Sequence, residues 1–252
     1  MDAMTDSADH CTADTHEVAR FAALADDWWD PAGPFAPLHR LNPTRIRYVR
    51  DRIAARLGRD AERPRPLEGV RLLDIGCGGG LIAEPMARLG ARVTGIDAAL
   101  RNVAAAAHHA AEVGLDIDYR HEPVEALAGS GARFDVVLAL EVVEHVGDLS
   151  AFLAAASASM APGGTMIVAT LNRTVKAFAL AVVGAEYVLG WLPRGTHDWA
   201  KFVRPSELAA LLADNGLAIE DMTGVCYRPL EGRWALCRDL AVNYMVAAAR
   251  QA

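Results

Sequence analysis

Residues 72–81 read LLDIGCGGGL, an apolar run that feeds a glycine loop. Three ligand chemistries place glycines after a strand, and they space them differently. A phosphate-cradling P-loop needs G-x-x-x-x-G-K-[ST], and no lysine follows here. The dinucleotide fingerprint G-x-G-x-x-G/A, counted from Gly76, puts its third glycine at a position held by Leu81. The glycines present are Gly76, Gly78, Gly79 and Gly80. Such a loop lets a ligand approach the backbone closely, and a helix start behind it offers free N–H groups. Asp97 closes the next predicted strand, where a carboxylate can accept both hydroxyls of a ribose. A ribose diol without a pyrophosphate fits S-adenosylmethionine. The alternative is a loop whose glycines serve only a tight turn; the agreement of strand, loop, helix, strand and aspartate argues against it.

Outward from the loop, strands and helices alternate. Residues 70–76, 91–97, 116–122, 134–140 and 165–172 read as strands; 79–90, 99–114 and 149–164 read as the helices between them. Near the end, 204–216 reads as a helix capped by Ser206, and 217–225 and 241–250 as final strands. This alternation predicts an α/β fold: a parallel sheet with helices on both faces. Upstream, Asn42-Pro43 reads as a helix start, followed by an apolar stripe of Ile46, Val49, Ile53 and Leu57. Residues 1–16 are expected to be a disordered tail, 17–66 an N-terminal helical cap and linker, and 67–252 the main domain with an insertion at about 173–203.

Composition narrows the function classes. Apolar residues make up 52% of the 252, so the chain has enough material for a packed core. The 32 acidic residues outnumber the 25 Lys and Arg, a balance that argues against nucleic acid as a partner. The four cysteines form no C-x-x-C pair and read as reduced thiols. The acidic N-terminus does not resemble a signal peptide, and no apolar run is long enough to span a bilayer.

Several segments together carry a more specific likeness: WWDPAGPFAPLHRLNP (28–43), the glycine loop through Asp97, LEVVEHV (140–146), APGG (161–164), TLNRT (170–174), VVGAEYVLGWLPRGTHDW (182–199) and VNYM (242–245). With them the chain resembles the ubiquinone-biosynthesis O-methyltransferases from about Glu17 to its end. The resemblance implies a class I methyltransferase fold: a seven-stranded, mostly parallel Rossmann-like sheet with helices on both faces and an N-terminal helical cap. It implies S-adenosylmethionine as methyl donor and a catechol-type hydroxyl on a polyprenylated phenol or quinol as acceptor, in both O-methylation steps. It further implies that Arg40, Gly76, Asp97 and Leu140 contact the donor, with Arg40 on the methionine carboxylate. The expected location is cytoplasmic, peripheral to the inner membrane face, with a ubiquinone-biosynthesis complex as a further partner.

Methyl transfer to a phenol needs two things from the protein: alignment of the reactants and a route for the proton. A phenol with a pKa near about 10 is mostly protonated at neutral pH. Glu141, Glu144 and His145, after the strand 134–140, are the candidate groups. On a helix, positions i, i+3 and i+4 share a face, so the three could hold a divalent cation that a catechol chelates. The resemblance implicates this E-x-x-E-H segment in magnesium binding, although His suits other metals better. The competing reading makes His145 a metal-free base or orienter, with Glu141 beside it as a catalytic residue. The segment holding His197 and Asp198 is expected either to close over the substrate, with His197 near the reacting ring, or to be a polar surface loop; Asn172 and Arg173 are expected to shape the same pocket.

A polyprenyl tail lives in lipid. Phe178, Val182, Val188 and Trp191 lie in an unusually apolar insertion, expected to serve as a lid and membrane contact. The arginines between Arg45 and Arg59 offer a second contact with anionic lipid, or simply a solvated face. Three rivals stay open: a methyltransferase of another small phenol, a nicotinamide-dependent dehydrogenase, and a non-catalytic membrane-docking subunit.

Overall fold

The strands expected around the glycine loop are apolar at successive positions, as strands buried on both faces must be. In the computed structural model, which describes residues 11–180 and 198–250, they form the centre of one sheet. The chain begins with α1 (Thr15–Ala23) and the long α2 (Ala36–Arg56). There follow β1 (Arg71–Ile75), α3 (Ala83–Arg88), β2 (Arg92–Asp97), α4 (Leu100–Glu112), β3 (Asp118–His121), α5 (Val124–Gly129), β4 (Phe134–Leu140), α6 (Leu149–Ala158) and β5 (Met160–Leu171). A single turn α7 (Val175–Ala177) precedes α8 (Pro205–Asp214), β6 (Leu217–Arg228), β7 (Arg233–Cys237) and β8 (Asn243–Arg250).

The sheet runs β3-β2-β1-β4-β5-β8-β6-β7. β1 to β5 are parallel, and β8 enters antiparallel between β5 and β6. Alternation along β4 divides the core: Val136, Leu138 and Leu140 pack on the face covered by α2 and α3, Val137 and Ala139 on the other. Ile167 and Val168 of β5 split the same way. The carboxyl edge of the parallel strands therefore gathers Ile75, Asp97, Leu140 and Leu171 in one row, where open α/β sheets bind ligands.

Four expectations change. The described sheet has eight strands rather than seven, because β6 runs on past Val225 and turns back through Pro229–Gly232 as β7. The helix expected at Asn42 starts at Ala36, with proline in its first turn and Pro43 inside it; Pro43 removes one rung, but burial of Val49 and Ile53 on the far side holds the helix through it. Ser206 is not a cap: Pro205 takes the first position of α8, and the Glu207 carboxylate accepts from the Arg204 N–H (3.1 Å). Cys226 and Cys237, read as thiols, form a disulfide across β6 and β7; Cys77 is free and buried, Cys11 free and exposed.

Most of the arginines between Arg45 and Arg59 are engaged within the protein. Arg50 pairs with Asp51 and Glu62, Arg56 with Glu220 and the Gly163 carbonyl, and Arg59 donates to the carbonyls of Pro66 and Glu68. Tyr48, buried, donates to Asp221 (2.8 Å) and fastens α2 to β6. Burial and the Asp221 carboxylate together push its phenol well above the ordinary value. Tyr48→Phe is expected to destabilise the fold by about 1 kcal/mol, read as a lower midpoint in chemical unfolding; an unchanged midpoint would show that the tether contributes nothing.

Candidate active site

The glycine loop turns from β1 into α3 with Gly76, Gly78 and Gly80 at positive φ. Gly78 N–H donates to Asp97 (3.0 Å), whose other oxygen accepts from Ala99 N–H (2.8 Å) and Asn102 (3.2 Å). The cap reaches this loop directly. Trp28 Nε1 donates to Asn102 (3.0 Å), Trp29 Nε1 donates to the Gly79 carbonyl (2.9 Å), and Trp28 stacks on Phe35 at 3.7 Å. A Cβ on Gly79 would stand 2.3 Å from Trp28 Cβ, and one on Gly78 would stand 2.5 Å from the indole ring. Glycine here serves the close approach of the cap as well as that of a ligand.

A cavity of about 1040 Å³ lies along the carboxyl edge. Gly76, Asp97 and Leu140 line it, as do Glu141, Glu144 and His145. Asp74 lies in its wall, and Asp74 Oδ2 has no hydrogen-bond partner among the described residues. Arg40 is exposed and outside the lining; the arginine of α2 that the cavity wall holds is Arg45, buried beside Asn42. Asn172 is buried behind the wall, donating to the Leu240 carbonyl (2.9 Å), and Arg173 pairs with Glu207. Asp198 caps the turn at Trp199–Lys201. His197, Val182, Val188 and Trp191 lie outside the described residues.

The E-x-x-E-H segment is not an α-helix. Glu141 sits at φ 58, a left-handed conformation that costs a non-glycine residue on the order of 1 kcal/mol, and Val143–His145 form a single tight turn. Glu141 is ion-paired with Arg45 at 2.5 Å. Glu144 is buried and accepts from Thr170 Oγ1 (2.7 Å), its second oxygen having no hydrogen-bond partner among the described residues. His145 Nδ1 lies 2.9 Å from the Glu17 carboxylate of α1, which also pairs with Arg20 at 2.6 Å. The shared helix face that would have collected the three ligands is absent from this segment. Among the described residues no three His, Cys, Asp or Glu side chains group so as to hold a metal ion. As arranged, then, the donor set does not fit a cation.

Each partner leaves a mark on acidity. Burial works against a charged His145, but Glu17 against its ring and the charge of Glu144 outweigh it and raise its pKa above the usual 6.5. Burial, then the neighbouring Glu141 charge, pushes Glu144 upward. Burial and the charge of Asp97 push Asp74 up to about 7.

Sequence reasoning alone missed Glu17, Arg45 and the Trp28 contact. The 12–21 segment is bound to the E-x-x-E-H turn at several points. Ala13 bridges to Val146, Gly147 N–H donates to the Thr12 carbonyl (2.7 Å), and Phe21 meets His145 edge-on at 5.2 Å. Lys201 closes the same region by pairing with Asp14 (2.8 Å).

The fold and this edge define a class. A family model described as a methyltransferase domain matches residues 39–221. Two structures of magnesium protoporphyrin IX methyltransferase from Synechocystis share the fold. The one with bound SAH has a TM-score of 0.61 at 20% identity, covering 92% of this chain and 94% of that one. The one with bound SAM has a TM-score of 0.59 at 18% identity over the whole of both chains. This is a class I methyltransferase fold, with one strand more than expected.

The relatives give the family. A ubiquinone biosynthesis O-methyltransferase from Methylobacterium nodulans is 59% identical over 94% of this chain and 95% of its own. Another, from Brucella anthropi, is 56% identical over 99% of this chain and all of its own. The chain belongs to the ubiquinone biosynthesis O-methyltransferase family.

The raised Asp74 has a consequence for stability. Its folded pKa lies above the unfolded value, so between the two the native state holds a proton the unfolded chain has released, and stability falls as pH rises through that window. Glu144 acts in the same sense. The melting temperature is expected to fall from about pH 5 to about pH 8, with a shallower slope in Asp74→Asn. Equal slopes in the two proteins would refute this assignment.

Proposed function

We propose that the chain transfers a methyl group from S-adenosylmethionine to a catechol-type hydroxyl of a polyprenylated phenol or quinol, in both O-methylation steps of ubiquinone biosynthesis. The observation that carries this reading is that the glycine loop with Asp97 and the Glu17–His145 pair line the same cavity. The relatives' shared name supports the pathway and the acceptor class.

The donor supplies a methyl carbon on a sulfonium, which becomes a neutral thioether as the new bond to oxygen forms. Asp97 accepts the ribose hydroxyls, Gly76 admits the donor close to the backbone, and Leu140 lies against the adenosine. Glu17 holds the Nδ1 side of His145, which leaves Nε2 as the basic nitrogen. His145 Nε2 takes the phenolic proton as the oxygen attacks. Arg45 fixes Glu141 at the same wall. Holding acceptor and donor in line is worth several kcal/mol by proximity alone. Arg40 as partner of the donor's carboxylate, and magnesium on Glu141, Glu144 and His145, rest on the resemblance alone, and no step is assigned to either.

The cap, about 17–66, completes the site on one side of the main domain. Among the described residues no helix is long and apolar enough to cross a membrane. A peripheral contact with the inner membrane face is supported by the exposed side chains of Val175, Phe178 and Leu180 at the start of the insertion. Membership of a biosynthetic complex rests on the pathway.

The pH profile of kcat/KM tests the proton route. The groups facing His145 are Glu17 and Arg20 from α1 and Glu144 beside it. Wild-type activity is expected to fall on the acid side as His145 protonates, with an apparent pKa above the ordinary histidine value. Glu17→Gln removes a negative neighbour, so this limb should move to lower pH. His145→Ala should lower kcat by about 10²-fold or more. An acid limb that stays in place in Glu17→Gln would remove His145 from the reaction. A chelator control separates the cation reading: activity lost with chelator and restored by magnesium would return the E-x-x-E-H segment to metal binding.

A further inference from the structure

The cavity is longer than a methyl donor and a phenol ring require. Asp97 closes β2, and the carboxyl half of β6 lies five strand positions further along the sheet. At a strand spacing of ~4.8 Å that is about 24 Å. The cavity lining runs the whole way, from Gly76 and Asp97 through His145 to Tyr227 and Trp234. The donor loop occupies one end and the E-x-x-E-H turn the middle. Neither accounts for the far end.

That end is built by an overhang. β8 begins at Asn243, which pairs with Val225 of β6. Beyond Val225, β6 has only β7 for a partner: Cys226 opposite Ala235, Tyr227 opposite Trp234, Arg228 opposite Arg233. The β6–β7 hairpin thus projects past the carboxyl edge on which the cavity lies. The Tyr227 and Trp234 rings pack together at 5.4 Å between centroids. The Cys226–Cys237 disulfide ties the two strands at the base, and Thr44 Oγ1 donates to the Trp234 carbonyl (3.0 Å), anchoring the hairpin to α2. Charges at this end are compensated locally: Lys176 pairs with Asp239, and Arg228 and Arg233 both pair with Glu231. The wall offers aromatic and aliphatic surface, with Leu180 on the insertion side and Pro229 at the turn. The tip residue Leu230 is wholly exposed.

We infer that the overhanging β6–β7 hairpin is the binding site for the acceptor's isoprenoid tail. Tyr227, Pro229 and Trp234 line one side and Leu180 the other. The inference rests on the acceptor class proposed above and adds the location of the tail. A branched, unsaturated hydrocarbon has no polar group to satisfy, which suits a wall of rings with its charges already paired. A tail longer than the hairpin leaves past Leu180 and Leu230, both exposed and apolar. Tail binding here draws the ring toward His145 from the side opposite the donor. Binding energy from a remote part of the acceptor then serves alignment at the reacting oxygen.

Two acceptors test it: a catechol without a tail and the same ring with a farnesyl substituent, each assayed with labelled S-adenosylmethionine. Wild type is expected to prefer the farnesylated ring. In Trp234→Ala the ratio of kcat/KM, farnesylated over tailless, should fall by about tenfold or more, with kcat for the farnesylated ring falling as well as its KM rising. Tyr227→Glu, at a more exposed position, should lower the same ratio and serves should Trp234→Ala fail to fold. A diazirine at the tail's end, photolysed with SAH present, should label the peptide 225–234. A ratio unchanged in both variants, label confined to other peptides, or a wild type indifferent to the tail would each overturn the tail site. A wild type that methylates neither acceptor would instead overturn the O-methyltransferase reading on which it rests.

Discussion

An indole lying on two glycines is the contact on which the rest of the site depends. Trp28 occupies the space that a side chain at Gly78 or Gly79 would need, and its Nε1 reaches Asn102, which in turn holds Asp97. One residue from the cap therefore fixes both the shape of the loop and its carboxylate. With Trp28 seated, α1 and α2 fall along the carboxyl edge of the sheet. Glu17 then meets His145, and Arg45 meets Glu141. Burying the Trp28 and Phe35 rings stabilises the cap by on the order of 1.5–3 kcal/mol each. That exceeds what any one of the exposed ion pairs around it contributes.

The chemistry follows from where charge is placed. A lone buried imidazole would be pushed toward its neutral form and would be a weak base. Glu17 and the charge of Glu144 counter that burial and raise the proton affinity of His145, the property the proposed proton route needs. Glu144 and Asp74 show the opposite case, carboxyl groups raised chiefly by burial. The E-x-x-E-H turn thus presents one imidazole and two carboxyl groups with separate partners, and Glu141 itself sits in a left-handed backbone conformation.

Much of this was legible in the residues. The alternation of strands and helices pointed to the parallel sheet, and the G-x-G-x-G spacing with Asp97 pointed to the loop and its ligand class, because these last two are local consequences of a strand–loop–helix unit. The position of the E-x-x-E-H segment at a strand end was legible for the same reason. Its geometry was not: three residues at helical spacing share a face only on a helix, and here the chain makes one tight turn. Arg40 and Arg45 lie on one helix, and which of them faces the cavity follows from the helix's rotation against the sheet. Glu17 and Trp28 act through residues far away in sequence, which no periodicity reports. β7 was missed because a five-residue strand with an exposed edge carries a weak pattern. The disulfide was missed because the register that brings Cys226 near Cys237 follows from the hairpin turn.

The measurement that bears most directly on the central claim is the position of the transferred methyl. A prenylated catechol would be incubated with this chain and S-adenosylmethionine carrying an isotopically labelled methyl group, and the product examined by nuclear magnetic resonance. A labelled methoxy carbon on one ring oxygen, with SAH formed in equal amount, is the expected result. Label on a ring carbon, or SAH formed without a methylated ring, would contradict the account of a single cavity aligning donor, phenolic oxygen and His145.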